Sequence, residues 1–144
     1  GETMANGPYA GDLSPEESYR LLQEDPQALL IDVRTEPEWA FVGLPDLSAL
    51  GKEALRLPWQ LFPSMAANPS FVGTLASAVA ERDRPLLFIC RTGGRSRAAA
   101  IAMTAAGYQR CYNVADGFEG GLDNERHRGR SNGWKAAGLP WAQS

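Results

Sequence analysis

An α/β fold, an open parallel sheet with helices on both faces, is what this sequence predicts, and three observations predict it. Short apolar runs alternate with helical stretches along the chain, the order that builds parallel sheets. "PLLFIC" at 85–90 is apolar throughout, as a strand covered on both faces must be. Immediately after it, "RTGGRS" breaks the pattern with two glycines and two arginines before an alanine-rich helical run.

The elements follow in order. "DLSPEESYRLLQED" carries Ser14 as N-cap, Pro15 in the first turn and Glu17 completing an S-x-x-E capping box, and Pro26 ends that helix. "ALLIDV" (28–33) is a short buried strand. "TEPEWAFVG" holds one helical turn before Gly43, residues 44–51 are loop, and "ALRLP" (54–58) is a short strand stopped by Pro58. In "NPSFVGTLASAVAERD" Asn68 caps a second helix, Pro69 takes its first turn, and Phe71, Leu75, Ala78 and Val79 form the inward stripe. After the 85–90 strand, "RSRAAAIAMTAAG" is a helix closed by Gly107 as a left-handed cap. "RCYNV" (110–114) is another strand, and "GWKAAGLPW" a last short helix with Gly138 and Pro140 as its stop. Residues 117–133 are rich in glycine and charge and form a long loop.

At 144 residues one domain is expected, spanning 13–142 behind an N-terminal extension of residues 1–12. Its first three residues precede Met4, which reads as the natural start. A net charge of −3 argues against nucleic acid and against an anionic membrane as partners, and no apolar run approaches the ~20 residues of a membrane span. Two cysteines, Cys90 and Cys111, are too few for a disulfide framework, and one histidine, His127, leaves no metal-ligand cluster. A reducing cytoplasm fits this usage, and no metal or cofactor is expected. Against the acidic background, Arg91, Arg95 and Arg97 gather at one spot, a local preference for anions.

The chemistry concentrates at Cys90. Ligands of open parallel sheets bind beyond the carboxyl ends of the strands, where Cys90 lies, and a helix begins about five residues later. Gly93 and Gly94 permit the positive φ angles that curl Arg91, Thr92 and their neighbours into a ring of inward N–H groups. Such a nest, together with the helix N-terminus and an arginine, stabilises a sulfur anion without a histidine base. An inert buried cysteine on a βα turn leaves the arginines unexplained.

The chain resembles single-domain rhodanese (sulfurtransferase) homology domains. The stretches that carry the resemblance are "LLIDVRTEPEW" (29–39), "LLFICRTGGRSRAAA" (86–100), "GYQRCYNVADGFEG" (107–120) and "GWKAAGLP" (133–140). The resemblance implies an open parallel five-stranded sheet with helices on both faces. It also implies that Cys90 takes a sulfane sulfur from a donor such as thiosulfate, holds it as a persulfide, and passes it to a thiol, to cyanide or to a protein acceptor. It makes the amides of the loop Arg91, Thr92, Gly93, Gly94 and Arg95 the holder of that sulfur, with Arg95 retaining the loop or its anionic ligand and Ser96 in support. Asp32 of the D-x-R motif orders neighbouring chain, and Arg34 pairs with an acid such as Glu38. A plain structural ion pair is the competing reading for both.

Cysteine phosphatases and some arsenate reductases are the rival chemistry, but they place five residues between cysteine and arginine. Four separate Cys90 from Arg95, and Ser96 takes the position of the phosphatase arginine. With Cα atoms 3.8 Å apart, the shorter ring has a radius smaller by roughly 0.6 Å, which suits one sulfur atom better than a phosphoryl group. A protein-binding module or a persulfide carrier without turnover is the other alternative. Two segments depart from the family pattern, 43–53 and 119–132. Both follow strands, so both are expected on the Cys90 face, with Arg126, His127, Arg128 and Arg130 as candidate contacts or plain solvated loop. Cys111 begins its strand while Cys90 ends its own. At ~3.3 Å per residue the two lie about 10–13 Å apart, beyond the ~7 Å a disulfide allows.

Overall fold

A computed structural model describes all residues except 1–7, 62–63, 65, 92, 116, 119–132 and 143–144. In chain order the elements are β1 (Gly11–Leu13), α1 (Pro15–Glu24), β2 (Leu29–Asp32), α2 (Glu36–Val42), β3 (Leu44–Pro45), a 3-10 turn at Ser48–Leu50, β4 (Leu55–Arg56), β5 (Gln60–Leu61), β6 (Ala66–Ala67), α3 (Phe71–Ala78), β7 (Leu86–Ile89), α4 (Gly94–Ala105), β8 (Cys111–Val114), α5 (Gly133–Ala136) and β9 (Trp141–Ala142). Five strands form one parallel sheet in the order β1-β8-β7-β2-β4. Its middle strand is β7, the one that delivers Cys90.

Strand alternation sorts the core into two halves. Leu86, Phe88 and Cys90 face α3 and α4 together with Ile31 and Val33, against Phe71, Leu75, Ala99, Ala100 and Met103. Leu87 and Ile89 face the other side with Leu30, against Leu22 of α1 and Trp134 of α5. Helices therefore cover both faces, as the sequence predicts. Small alanines on α4 let that helix lie close to β7 and β8.

Several local expectations are revised. β1 is an edge strand whose Gly11, Asp12 and Leu13 pair with Tyr112, Asn113 and Val114, so the stretch ahead of residue 13 joins the sheet. α2 runs for seven residues rather than one turn, and the 44–51 segment holds β3 and the 3-10 turn. α3 starts at Phe71; Asn68 and Pro69 precede it, and the Asn68 side chain accepts from Ser70 N–H at 3.0 Å. Phe71, Leu75 and Val79 form its buried stripe, while Ala78 faces solvent. The box at Ser14 and Glu17 forms as expected, with both reciprocal hydrogen bonds present. Gly107 takes φ +104° at the end of α4. Among the described residues no helix is long and apolar enough to cross a membrane.

The 43–53 segment does not stay on the Cys90 face. Lys52 Nζ donates to the carbonyls of Asp25 and Ala28, at 2.7 and 2.8 Å, and both precede β2. Because a lysine ammonium needs acceptors once its stem is half-buried, these carbonyls draw the segment toward the amino ends of the strands. The 119–132 segment, with Arg126, His127, Arg128 and Arg130, lies outside the described residues.

Candidate active site

Cys90 sits at the carboxyl end of β7 with 1% of its surface exposed. Gly93 N–H points at its sulfur, 3.0 Å away. That aim requires φ +111° at Gly93, a left-handed value that side chains disfavour, so the glycine is required there. Gly94 is not a second left-handed residue: it opens α4 in ordinary helical conformation, and open space surrounds the point where a Cβ would stand. Thr92 lies outside the described residues. Arg91 is exposed.

Ser96 is fully buried, and its hydroxyl lies 3.2 Å from Cys90 Sγ and 2.5 Å from Asn113 Oδ1. Asn113 in turn donates from Nδ2 to Asp12 at 3.0 Å, and the Tyr9 hydroxyl donates to the same carboxylate oxygen at 2.8 Å. A polar chain thus runs behind the sulfur, from the last sheet strand to the first. Asp12 stands in no motif, and the stretch 107–120 that carries the resemblance gives Asn113 no role of its own.

Arg95 closes the loop. Its two terminal nitrogens meet both Glu38 oxygens at 2.8 Å, a bidentate pair between α4 and α2. Glu38 also accepts from Thr35 N–H and from the Thr35 hydroxyl, both at 3.0 Å. Partial burial pushes the Glu38 carboxyl upward, but the hydrogen bonds and charge of Arg95 and the bonds from Thr35 outweigh it, holding the group at about 2. Arg95 is therefore a brace between the Cys90 loop and α2.

This corrects the expected Arg34–Glu38 pair. Arg34 and Asp32 pair with each other, Nε to Oδ1 at 2.9 Å and Nη2 to Oδ2 at 2.7 Å, with both side chains wholly buried. Arg34 Nη2 also donates to Gly43 O at 2.7 Å, and the guanidinium lies 4.4 Å from the centre of the Phe118 ring. The pair pins Gly43 and Phe118 to the end of β2 and does not touch the sulfur. Arg97 lies over Tyr9, 5.8 Å from the ring centre. Of the three arginines expected at one anion site, two are thus engaged elsewhere.

Gly117, which sequence reasoning placed in an undifferentiated loop, turns out to abut the cysteine loop. A Cβ there would stand 2.5 Å from Cys90 O and 2.6 Å from Arg91 O. Phe118 N–H donates to Cys90 O at 2.7 Å, so the chain after β8 forms the second wall of the Cys90 turn. A glycine two or three residues after a strand was the available signal, but nothing local says what it approaches.

The Glu38 brace makes a pH dependence. The folded carboxyl titrates near 2 and the unfolded one near 4.5, so its stabilisation is present above pH 4.5 and is lost as pH falls toward 2. The effect is on the order of 2–3 kcal/mol. Denaturant midpoints measured from pH 6 down to 2 should fall steeply below 4.5 in the native protein and less steeply in Glu38→Gln. Equal slopes would show that the pair contributes nothing.

Comparison with known proteins places the chain among relatives. The family described as STR4 middle domain matches residues 10–144. The crystal structure of Rv0390 from M. tuberculosis is similar at 47% identity and a TM-score of 0.86, covering 94% of this chain and 99% of that one. The uncharacterized protein RC0915 of Rickettsia conorii is 38% identical over 125 residues, which is 86% of this chain and 90% of the relative. The chloroplastic protein THYLAKOID RHODANESE-LIKE of Oryza sativa subsp. indica is 30% identical over 138 residues, 95% of this chain but 26% of that longer protein.

Proposed function

This chain belongs to the STR4 middle-domain family, a rhodanese-like family of sulfurtransferase type, and from that premise we propose that it moves sulfane sulfur through a persulfide on Cys90. One observation carries the reading. The sulfur ends the middle strand of the sheet, and a backbone N–H at 3.0 Å and a hydroxyl at 3.2 Å both address it. Hydrogen-bond donors of this kind stabilise a sulfur anion, and the thiolate is the nucleophile that sulfur transfer needs.

The cycle has two displacements. The Cys90 thiolate attacks the outer sulfur of thiosulfate, the S–S bond of the donor breaks, and sulfite leaves with the electron pair. A thiol or cyanide then attacks the outer sulfur of the persulfide, and the Cys90 thiolate is the leaving group. Donors such as thiosulfate or a small persulfide, and acceptors that are thiols, cyanide or a protein, suit the site. A single domain reaching from the β1 edge to residue 142, working in a reducing cytoplasm, completes the proposal.

The test is direct. After incubation with thiosulfate, intact-mass measurement should show the protein heavier by one sulfur atom, and cyanide should remove it as thiocyanate. No adduct would overturn the reading. Hydrolysis of an aryl phosphate should be negligible. Ser96 occupies the place of the phosphatase arginine, and Arg95, the residue before it, is bound on both terminal nitrogens to Glu38. Turnover of an aryl phosphate that disappears in Cys90→Ser would favour the phosphatase instead.

A further inference from the structure

We infer that Asn113 is a positioning residue that governs the one proton of the Ser96 hydroxyl, and so decides how much charge Cys90 keeps in each half of the transfer cycle. The inference rests on the persulfide reading and assigns roles to Asn113 and Asp12, which act through the Ser96 hydroxyl.

The argument is one of counting protons. A carboxylate only accepts, so Asp12 compels Asn113 to present Nδ2 to it, at 3.0 Å. The other end of the amide, Oδ1, is then fixed toward Ser96 and also only accepts, at 2.5 Å. Ser96 has a single hydroxyl proton, and Cys90 Sγ stands 3.2 Å from the same oxygen. Sulfur anion and amide oxygen therefore compete for one donor in a pocket closed to water, where Ser96 is 0% and Asn113 5% exposed. Because an amide oxygen is a better acceptor than neutral sulfur, the bond to Asn113 is the stronger claim when sulfur carries no charge.

The competition alternates with the chemistry. When Cys90 attacks as the thiolate the negative charge is on Sγ, and the proton turns toward it. When the thiolate takes a sulfur from thiosulfate and releases sulfite, the charge moves to the outer sulfur. Sγ becomes a neutral bridging atom, and the proton returns to Asn113. Asn113 thus gives the proton somewhere to go as charge leaves Sγ. Gly93 N–H, a fixed donor, has no such freedom.

Removing the alternative acceptor should therefore split the two half-reactions. In Asn113→Leu the Ser96 proton stays on Sγ. Loading, which withdraws charge from Sγ, slows; discharge, which restores it, quickens. Asp12→Asn acts in the same direction from an exposed position, because Asn113 is then free to turn its amide and donate to Ser96. A loss of packing at β8 slows both halves together, so opposed changes separate positioning from structure.

The experiment measures sulfite release on loading with thiosulfate and thiocyanate formation on discharge with cyanide. Each is a single turnover on the alkaline plateau where neither rate changes further with pH, so the amount of thiolate does not enter. The ratio of discharge to loading rate should rise by about tenfold in Asn113→Leu and about threefold in Asp12→Asn, the scale of one hydrogen bond to a charged group. In Ser96→Ala the Asn113→Leu change should leave the ratio unaltered. Parallel slowing of both halves, or ratios within twofold of the native protein in both single variants, would overturn the inference. Iodoacetamide alkylation at the same pH needs no sulfur transfer and keeps the two ideas apart. Asn113→Leu should slow it about threefold, and that effect should vanish in Ser96→Ala. If the native protein takes no sulfur from thiosulfate yet alkylation behaves so, the transfer reading fails and the proton assignment stands.

Discussion

Cys90→Ser should lose all detectable sulfur loading, a drop of more than about a thousandfold, while the fold survives. The side chains are nearly isosteric, and the site already offers donors at 3.0 and 3.2 Å to whichever atom stands there. What is lost is the nucleophile: a serine hydroxyl is not ionised at neutral pH and attacks sulfane sulfur poorly. Cys111 is the internal control. It is wholly buried, and its thiol is pushed up to about 11 by desolvation, against a lowering bond from Thr104. It sits opposite Leu86, four residues before Cys90, so roughly 13 Å of sheet separates the two sulfur-bearing positions. Cys111→Ala should therefore load like the native protein, with only a modest loss of stability. Intact mass after thiosulfate treatment decides it. An adduct that persists in Cys90→Ser, or disappears in Cys111→Ala, would place the sulfur elsewhere.

The second large effect is expected from Gly117→Ala, a change of one methyl group remote from Cys90 in sequence. The added carbon would stand 2.5 Å from Cys90 O and 2.6 Å from Arg91 O, both backbone atoms that cannot step aside without moving the loop. The φ of +63° adds the usual cost of a left-handed non-glycine residue. Stability should fall by about 2–4 kcal/mol. Loading by the folded protein should slow at least tenfold, since a 1 Å displacement of the nest spoils its aim. Gly73→Ala is the contrast. It lies exposed within α3 with nothing near its Cβ position, and replacement there should raise stability by up to about 1 kcal/mol. Equal responses of the two variants in a denaturant melt would mean that the approach of Gly117 to the loop is not tight.

What the sequence disclosed and what it withheld divide along the range of the contacts. The capping box of Ser14 and Glu17, the continuous apolar run into Cys90 and the glycine after it are local signals, complete within a few residues. They placed α1, β7 and the cysteine turn. β1 escaped because three residues are too few to show a period, and "GDLSP" has the composition of a turn. The Arg34 partner was misread for a related reason. The family resemblance implies an acid such as Glu38, but Glu38 is drawn back to the start of its own helix by Thr35 and held there by Arg95, 57 positions away. Arg34 instead folds back on Asp32, two residues earlier, because the chain turns sharply after β2. Asn113 and Gly117 belong to the same class, since their importance comes from what other segments bring beside them.

The pairing of β1 with β8 has a consequence for how this chain acquires its shape. Asp12 and Asn113 are 101 positions apart, yet they lie side by side in the sheet. During synthesis β1 precedes the other four strands and must wait, unpaired, until the chain has emerged through Val114, because its neighbour in the sheet is the last of the five strands. Closing a segment that long is entropically costly and contributes to slow assembly. The polar chain behind Cys90 is thus completed only when the first and the last of the five strands in chain order pair. Until then the nascent chain can hold Cys90 at the end of β7 with neither Asp12 nor Asn113 in its final place.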